Sequence, residues 1–195
     1  MTAVGRARWE QHFASGHGFR RADELELRRL TEAAPPHPGA RALDVGCGLG
    51  AYAAALAGLG YRTLAVDRAD AAVAATRDRY ADAEPRLQVQ RLDFEDAAAV
   101  AAALPSAAFD LITMRLVLAF MADKPTVAQR VRDLLAPGGA WVVTTPLASN
   151  LPEARRHIGL TREDIGILTE EWPEGRWYDL DGALRCFVLR TGTRP

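Results

Sequence analysis

Five short β-type runs alternate with four helix-forming runs between Arg41 and Thr145, and few folds accommodate such a chain. The β-type runs are 41–45, 61–66, 87–92, 109–114 and 140–145; the helical ones are 51–59, 69–80, 96–104 and 125–135. That order implies a parallel sheet covered by helices on both faces, joined by right-handed crossovers. Pro137-Gly138-Gly139 should stop the last helix before the fifth strand begins. Two more β-type runs, 177–180 and 184–189, flank Asp181-Gly182. That dipeptide suits a type I′ turn, so the two runs should pair as an antiparallel hairpin. The expected architecture is α/β: a doubly wound, mostly parallel sheet with an antiparallel hairpin added at one edge.

The chain has 195 residues, the size of one domain. Its expected parts are an N-terminal helical segment (1–38), a core (39–145) and a substrate-side segment ending in the hairpin (146–195). Apolar residues make up 49% and charged residues 25%, as in ordinary globular proteins. A net charge of -1 offers no electrostatic reason to expect nucleic acid or an anionic membrane. No apolar run approaches bilayer-spanning length, and the first residues have no apolar core of a signal peptide. Cys47 and Cys186 form no metal-ligand pattern and are expected as free thiols in a cytoplasmic protein, a monomer or homodimer with no metal.

The run Leu43-Asp44-Val45-Gly46-Cys47-Gly48-Leu49-Gly50 closes the first strand and opens the first helix. In open parallel sheets ligands bind beyond the carboxyl ends of strands, at the point where strand order reverses. Glycines there let backbone approach a ligand closely. Dinucleotide sites favour G-x-G-x-x-G with a pyrophosphate on the helix N-terminus. Here the spacing is tighter, and Asp44 precedes it. An acid so placed repels pyrophosphate and suits a ligand with an ammonium group and no phosphate. The bland alternative is a tight turn with no ligand.

Asp67 ends the second strand, where a carboxylate can accept both hydroxyls of a ribose; it could equally cap the next helix. Asp93 and Phe94 end the third strand. A carboxylate there can accept from an adenine amino group and an aromatic can pack on the ring, while the plain alternative makes Asp93 the cap of the helix that follows.

Together these residues resemble the class I S-adenosylmethionine-dependent methyltransferases, over residues 41–145. The 43–50 run is the most specific element; Phe109-Asp110-Leu111-Ile112 and Leu135-Ala136-Pro137-Gly138-Gly139 match the family's later strand and loop signatures. The resemblance implies seven strands, the last two a hairpin, with S-adenosylmethionine as cofactor and S-adenosylhomocysteine as product. It implies cofactor contacts from Asp44, Gly46, Cys47, Gly48, Gly50, Asp67, Arg68, Asp93, Phe94 and Arg115. Cys47 stands where small residues are common in the family, and is expected to pack rather than react.

Methyl transfer from a sulfonium needs orientation and desolvation more than a catalytic side chain, so no base need be visible. Arg115 follows the fourth strand and should face the methyl group or the substrate, or pair with a carboxylate. His12 and His17 lie in an aromatic segment, Trp9 to Phe19, which in similar small-molecule methyltransferases closes over the active site. The plain alternative docks Trp9 and Phe13 on the core and leaves the histidines exposed. His157, Trp172 and Trp177 fall where the family often builds substrate contacts, or else in ordinary packing. The place of the Asn/Asp-Pro-Pro-Tyr motif of nucleic-acid and amide enzymes reads Met114-Arg115-Leu116-Val117, so a small-molecule acceptor is expected. Three competing readings remain: a non-catalytic cofactor-binding or regulatory protein, a nicotinamide-dependent oxidoreductase, and an RNA or protein methyltransferase using a cluster such as Arg155-Arg156.

Overall fold

The structure, a computed structural model, describes residues 5–170, 172, 174–180 and 184–190. In chain order its elements are α1 (Arg6–Ala14), α2 (Glu24–Ala33), β1 (Arg41–Val45), α3 (Ala51–Leu59), β2 (Arg62–Asp67), α4 (Asp70–Arg79) and β3 (Leu87–Arg91). There follow α5 (Ala97–Ala103), β4 (Phe109–Arg115), α6 (Lys124–Leu134), β5 (Leu135–Pro146), α7 (Arg162–Glu170), β6 (Arg176–Asp179) and β7 (Leu184–Arg190). The seven strands form one sheet in the order β3-β2-β1-β4-β5-β7-β6. β2 pairs parallel with β1 and β3, β5 pairs parallel with β4, and β7 runs antiparallel to both β5 and β6. The expected α/β sheet with its antiparallel hairpin is therefore present. Asp181-Gly182, the expected turn, lies outside the described residues.

The chain divides into two compact units, Val4–Leu104 and Pro105–Pro195. In the first, β1 and β2 are buried along nearly their whole length, which is why they read as continuous apolar runs. Helix starts follow local chemistry. Asp23 and Asp96 cap α2 and α5 by accepting from the backbone N–H three residues on. Asp96 therefore does the capping that the plain reading gave to Asp93.

In the second unit Asp123 caps α6. α7 begins with a reciprocal capping box: Thr161 N–H donates to the Asp164 carboxylate at 2.9 Å, and Asp164 N–H donates to the Thr161 hydroxyl at 3.1 Å. Asp164 also pairs at 3.3 Å with Lys124, the chain's lone lysine, and both side chains are largely buried. Trp172 is 1% exposed, its ring 5.3 Å from Trp141 and 4.9 Å below the Arg132 guanidinium. Among the described residues no helix is long and apolar enough to cross a membrane.

One boundary differs from expectation. α6 ends at Leu134 and β5 starts at once, so Pro137-Gly138-Gly139 lies within the strand instead of before it. The glycines make this possible by bulging the strand: pairing with β4 slips between Phe109 and Leu111, and Gly138 sits at φ 77°. The Gly138 carbonyl accepts from the Arg190 guanidinium. A Cβ on Gly138 would meet nothing, whereas one on Gly139 would lie 2.9 Å from two backbone oxygens. Gly138→Ala should thus cost about 1 kcal/mol through its φ alone. Gly139→Ala should cost more. Urea unfolding of the two variants beside the parent protein checks this order.

Candidate cofactor site

The 46–50 loop leaves β1 with all three glycines in the left-handed region, at φ 72°, 52° and 77°. Such a path is closed to most side chains, which explains the G-x-G-x-G spacing. Four of its five amide donors are used inside the chain. Gly46 and Cys47 both donate to the Val66 carbonyl, at 2.8 and 3.1 Å. Gly48 donates to Asp67 Oδ2 at 3.0 Å and Gly50 to the Cys47 carbonyl at 2.9 Å. The loop is also held from α4. The Thr76 hydroxyl donates to the Gly48 carbonyl at 2.9 Å, and a Cβ on Gly50 would lie 2.3 Å from the Thr76 methyl.

Carboxylates gather around this loop. Asp44 is 2% exposed and Asp67 6%. Asp67 Oδ1 accepts from Ala69 N–H at 2.9 Å, so the residue turns the chain into α4 while bracing the loop. Burial raises its pKa above the usual aspartate range, against the lowering effect of these N–H bonds. Burial, then the neighbouring Asp67 and Asp44 charges, push the Cys47 thiol well above its ordinary pKa, and the side chain packs against the Ala53, Ala57, Ala65 and Leu87 cluster. At the end of β3, Arg68 reaches Asp93 at 3.5 Å and Glu95 at 3.7 Å. Phe94 is 3% exposed.

Helix α1 lies directly on the loop. A Cβ on Gly48 would stand 3.1 Å from the Phe13 ring, and one on Gly18 2.9 Å from Leu49. Phe13 also packs with Ala69 and Ala72, flanked by Trp9 and Leu49. The cap residue of α4 is Ala69, which has no capping side chain. Glu10 supplies the cap from α1, its two oxygens accepting from Asp70 and Ala71 N–H at 2.8 Å each. Arg6 pairs with Asp70. Thus Phe13 docks as the plain reading expected, but His12 does not sit exposed. Its ring stacks on Phe19 at 5.1 Å and meets Trp9, Phe13 and His17 edge-on or tilted. Burial, His17 and Arg8 lower its pKa. His17 is exposed, its Nδ1 3.1 Å from the Ser15 hydroxyl.

The remaining candidates belong to the second unit. Arg115 ends β4 half-buried, and the next residue, Leu116, holds the left-handed φ of 59°. Such strain in a branched residue marks a site that the surrounding structure enforces. His157 is exposed. Trp177 is 54% exposed on β6 beside the Arg185 guanidinium at 5.8 Å, and Trp172 is the core packing residue described above.

Residues 17–181 match the family described as "Methyltransferase domain". The chain belongs to the class I S-adenosylmethionine-dependent methyltransferase family. It is similar to the nocamycin O-methyltransferase of Saccharothrix syringae, 37% identical over 73% of this chain and 50% of that one. It is also similar to a ubiquinone biosynthesis O-methyltransferase of Albidiferax ferrireducens, 34% identical over 57% of this chain and 43% of that one. The chain thus spans about half the length, or less, of these curated relatives. Among solved structures it resembles the N-methyltransferase NodS of Bradyrhizobium japonicum in complex with S-adenosylhomocysteine, with TM-score 0.72 and 22% identity over 96% of this chain and 98% of that one.

Within this methyltransferase fold the sequence reading missed two supports of the glycine loop, Glu10 and Thr76. A signal for Glu10 existed. Ala69 is a poor helix cap, so α4 needed one from elsewhere. Thr76→Val keeps the shape but strands the buried Gly48 carbonyl. It should lower stability by about 1–3 kcal/mol, read by thermal or urea unfolding.

Proposed function

We propose that this methyltransferase binds S-adenosylmethionine over the 46–50 loop and transfers its methyl group to a small-molecule acceptor. The observation that carries the reading is the loop's donor economy. With four of five amides bonded internally and buried carboxylates at positions 44 and 67, the loop is built against a phosphate and for a cationic, diol-bearing ligand. That argues against a nicotinamide dinucleotide. The residues present fit the cofactor: the 46–48 backbone would run along its amino-acid part near Asp44, Asp67 would accept from the ribose hydroxyls, and Asp93 from the adenine amino group, with Arg68 holding Asp93 in place. The bound cofactor supplies an already activated methyl group. The chain supplies orientation and, through Phe13 and α1 over Gly48, exclusion of water. The near-neutral net charge supports a small acceptor over nucleic acid, and we place the protein in the cytoplasm as a monomer or homodimer.

Calorimetric titration with S-adenosylmethionine, S-adenosylhomocysteine and NADPH tests this. The first two should bind and NADPH should not; binding of NADPH alone, or of none, refutes it. Asp67→Ala should weaken cofactor binding by about 1–3 kcal/mol, through loss of a charge-assisted partner.

The same carboxylate sets a pH dependence. Binding uses ionised Asp67, whose raised pKa means that protonation begins above the usual aspartate range. Affinity should therefore fall on acidification starting above about pH 4, the ordinary aspartate midpoint. Asp67→Asn should bind weakly with no such fall. Titrations between neutral pH and the acid limit of stability compare the two.

A further inference from the structure

The aromatic cluster that seats α1 on the glycine loop is built around a histidine. After α1 the chain turns back at Gly16, where Gly16 N–H donates to the Phe13 carbonyl at 2.9 Å and His17 N–H to the His12 carbonyl at 3.3 Å. That turn lays Phe19 over the His12 ring, with centroids 5.1 Å apart and planes 26° from parallel. Trp9 and Phe13 meet the same ring edge-on at 5.8 and 5.1 Å, and Trp9 stacks on Phe13 at 6.0 Å. These rings form one unit. Through Phe13 it touches Gly48 in the loop and Ala69 and Ala72 at the start of α4. Of its members, His12 alone can take up a proton.

A proton has no good place there. His12 Nε2 is buried and makes no hydrogen bond. A protonated imidazole carries an N–H on both nitrogens, so the buried one would need an acceptor. The charges acting on the ring from its own helix and from the turn are Arg8 and His17, which oppose a further cation; burial, His17 and Arg8 together lower the His12 pKa. The carboxylates of the surrounding elements are engaged elsewhere. Glu10 accepts from Asp70 and Ala71 N–H, Asp70 pairs with Arg6 and Arg91, Asp67 accepts from Gly48 and Ala69 N–H, and Asp23 pairs with Arg20. The attraction of ring faces for a cation is a smaller effect than an unpaired buried donor beside two like charges. The seated cluster therefore favours neutral His12. Its hold is complete above the ordinary histidine midpoint, about pH 6.5, and is lost as the pH falls below it.

We propose that His12 is a proton-operated latch: protonation loosens the ring cluster, lifts Phe13 from Gly48 and opens the glycine loop to exchange of its ligand. Glu10 stays on the start of α4 and keeps α1 tethered. Free and loaded protein unlatch alike, so entry and release speed up together while affinity changes little. The exchange step rests on the methyl-transfer reading above; the loosening of the cluster does not.

Two readouts test this between about pH 8 and about pH 5.5, the range over which an ordinary histidine charges. In ligand-free protein, NMR contacts between the Phe13 ring and the Ala69 and Ala72 methyls should weaken as the pH falls. By stopped flow, the association and dissociation rates of S-adenosylhomocysteine should both rise several-fold over the same range. His12→Phe keeps a ring that cannot charge, and should hold the contacts and the slow rates at every pH. His12→Lys carries a permanent charge, and should lose the contacts and exchange fast even at about pH 8. His17→Gln should keep the response. The proposal is overturned if the Phe13 contacts ignore pH in the parent protein, if His12→Phe responds as the parent does, or if His12→Lys stays closed. Contacts that weaken while both rates stay constant would overturn the gating role. Failure of S-adenosylhomocysteine to bind at any pH would overturn the methyl-transfer reading instead, and the NMR contacts would still decide the latch.

Discussion

One carboxylate joins three pieces of the first unit. Asp67 accepts from Gly48 in the loop after β1 and from Ala69 at the entrance to α4, and it is itself the last residue of β2. Burial of the charge is costly, and two backbone N–H bonds offset part of that cost. What the arrangement secures is the left-handed path of the glycine loop. Thr76 holds the same loop from α4, and Glu10 holds the start of α4 from α1. Loop, helix and N-terminal cover therefore stand or fall together. A ligand bound over Gly48 would meet a surface whose shape was set beforehand.

Much of this was readable in the residues themselves, for identifiable reasons. β1 and α3 appear at their expected bounds because an apolar run buried on both faces ends at a glycine loop, an abrupt change of composition. The ends expected at 66 and 114 moved on by one residue, to Asp67 and Arg115, since a strand's last residue is decided by its ladder partner. β5 was misjudged at its start because Pro-Gly-Gly marks a break in the chain's regularity without saying whether that break is a loop or a bulge. Only pairing with β4 decides it. α7 was missed for lack of apolar period, although Thr161-x-x-Asp164 announced its start.

The site was legible to a different degree. Glycine spacing and strand-end acids are local, so the loop and Asp67 could be named from their neighbours alone. Glu10 and Thr76 were not: each acts across some sixty or twenty-eight residues of chain, on a helix terminus and on a glycine carbonyl that only folding brings near. His12 shows the limit of a two-way choice. The residue is neither a bare surface histidine nor a demonstrated catalyst; it is half-enclosed by aromatic rings, which burial makes reluctant to share their space with a charge.

A crystal structure of the protein with S-adenosylhomocysteine tests the central claim most directly. The account predicts the ribose hydroxyls within hydrogen-bonding distance of the Asp67 carboxylate and the amino-acid part along the Gly46–Gly48 backbone. A ligand bound away from the loop, or an Asp67 carboxylate that keeps to Gly48 and Ala69 and ignores the ribose, would contradict it.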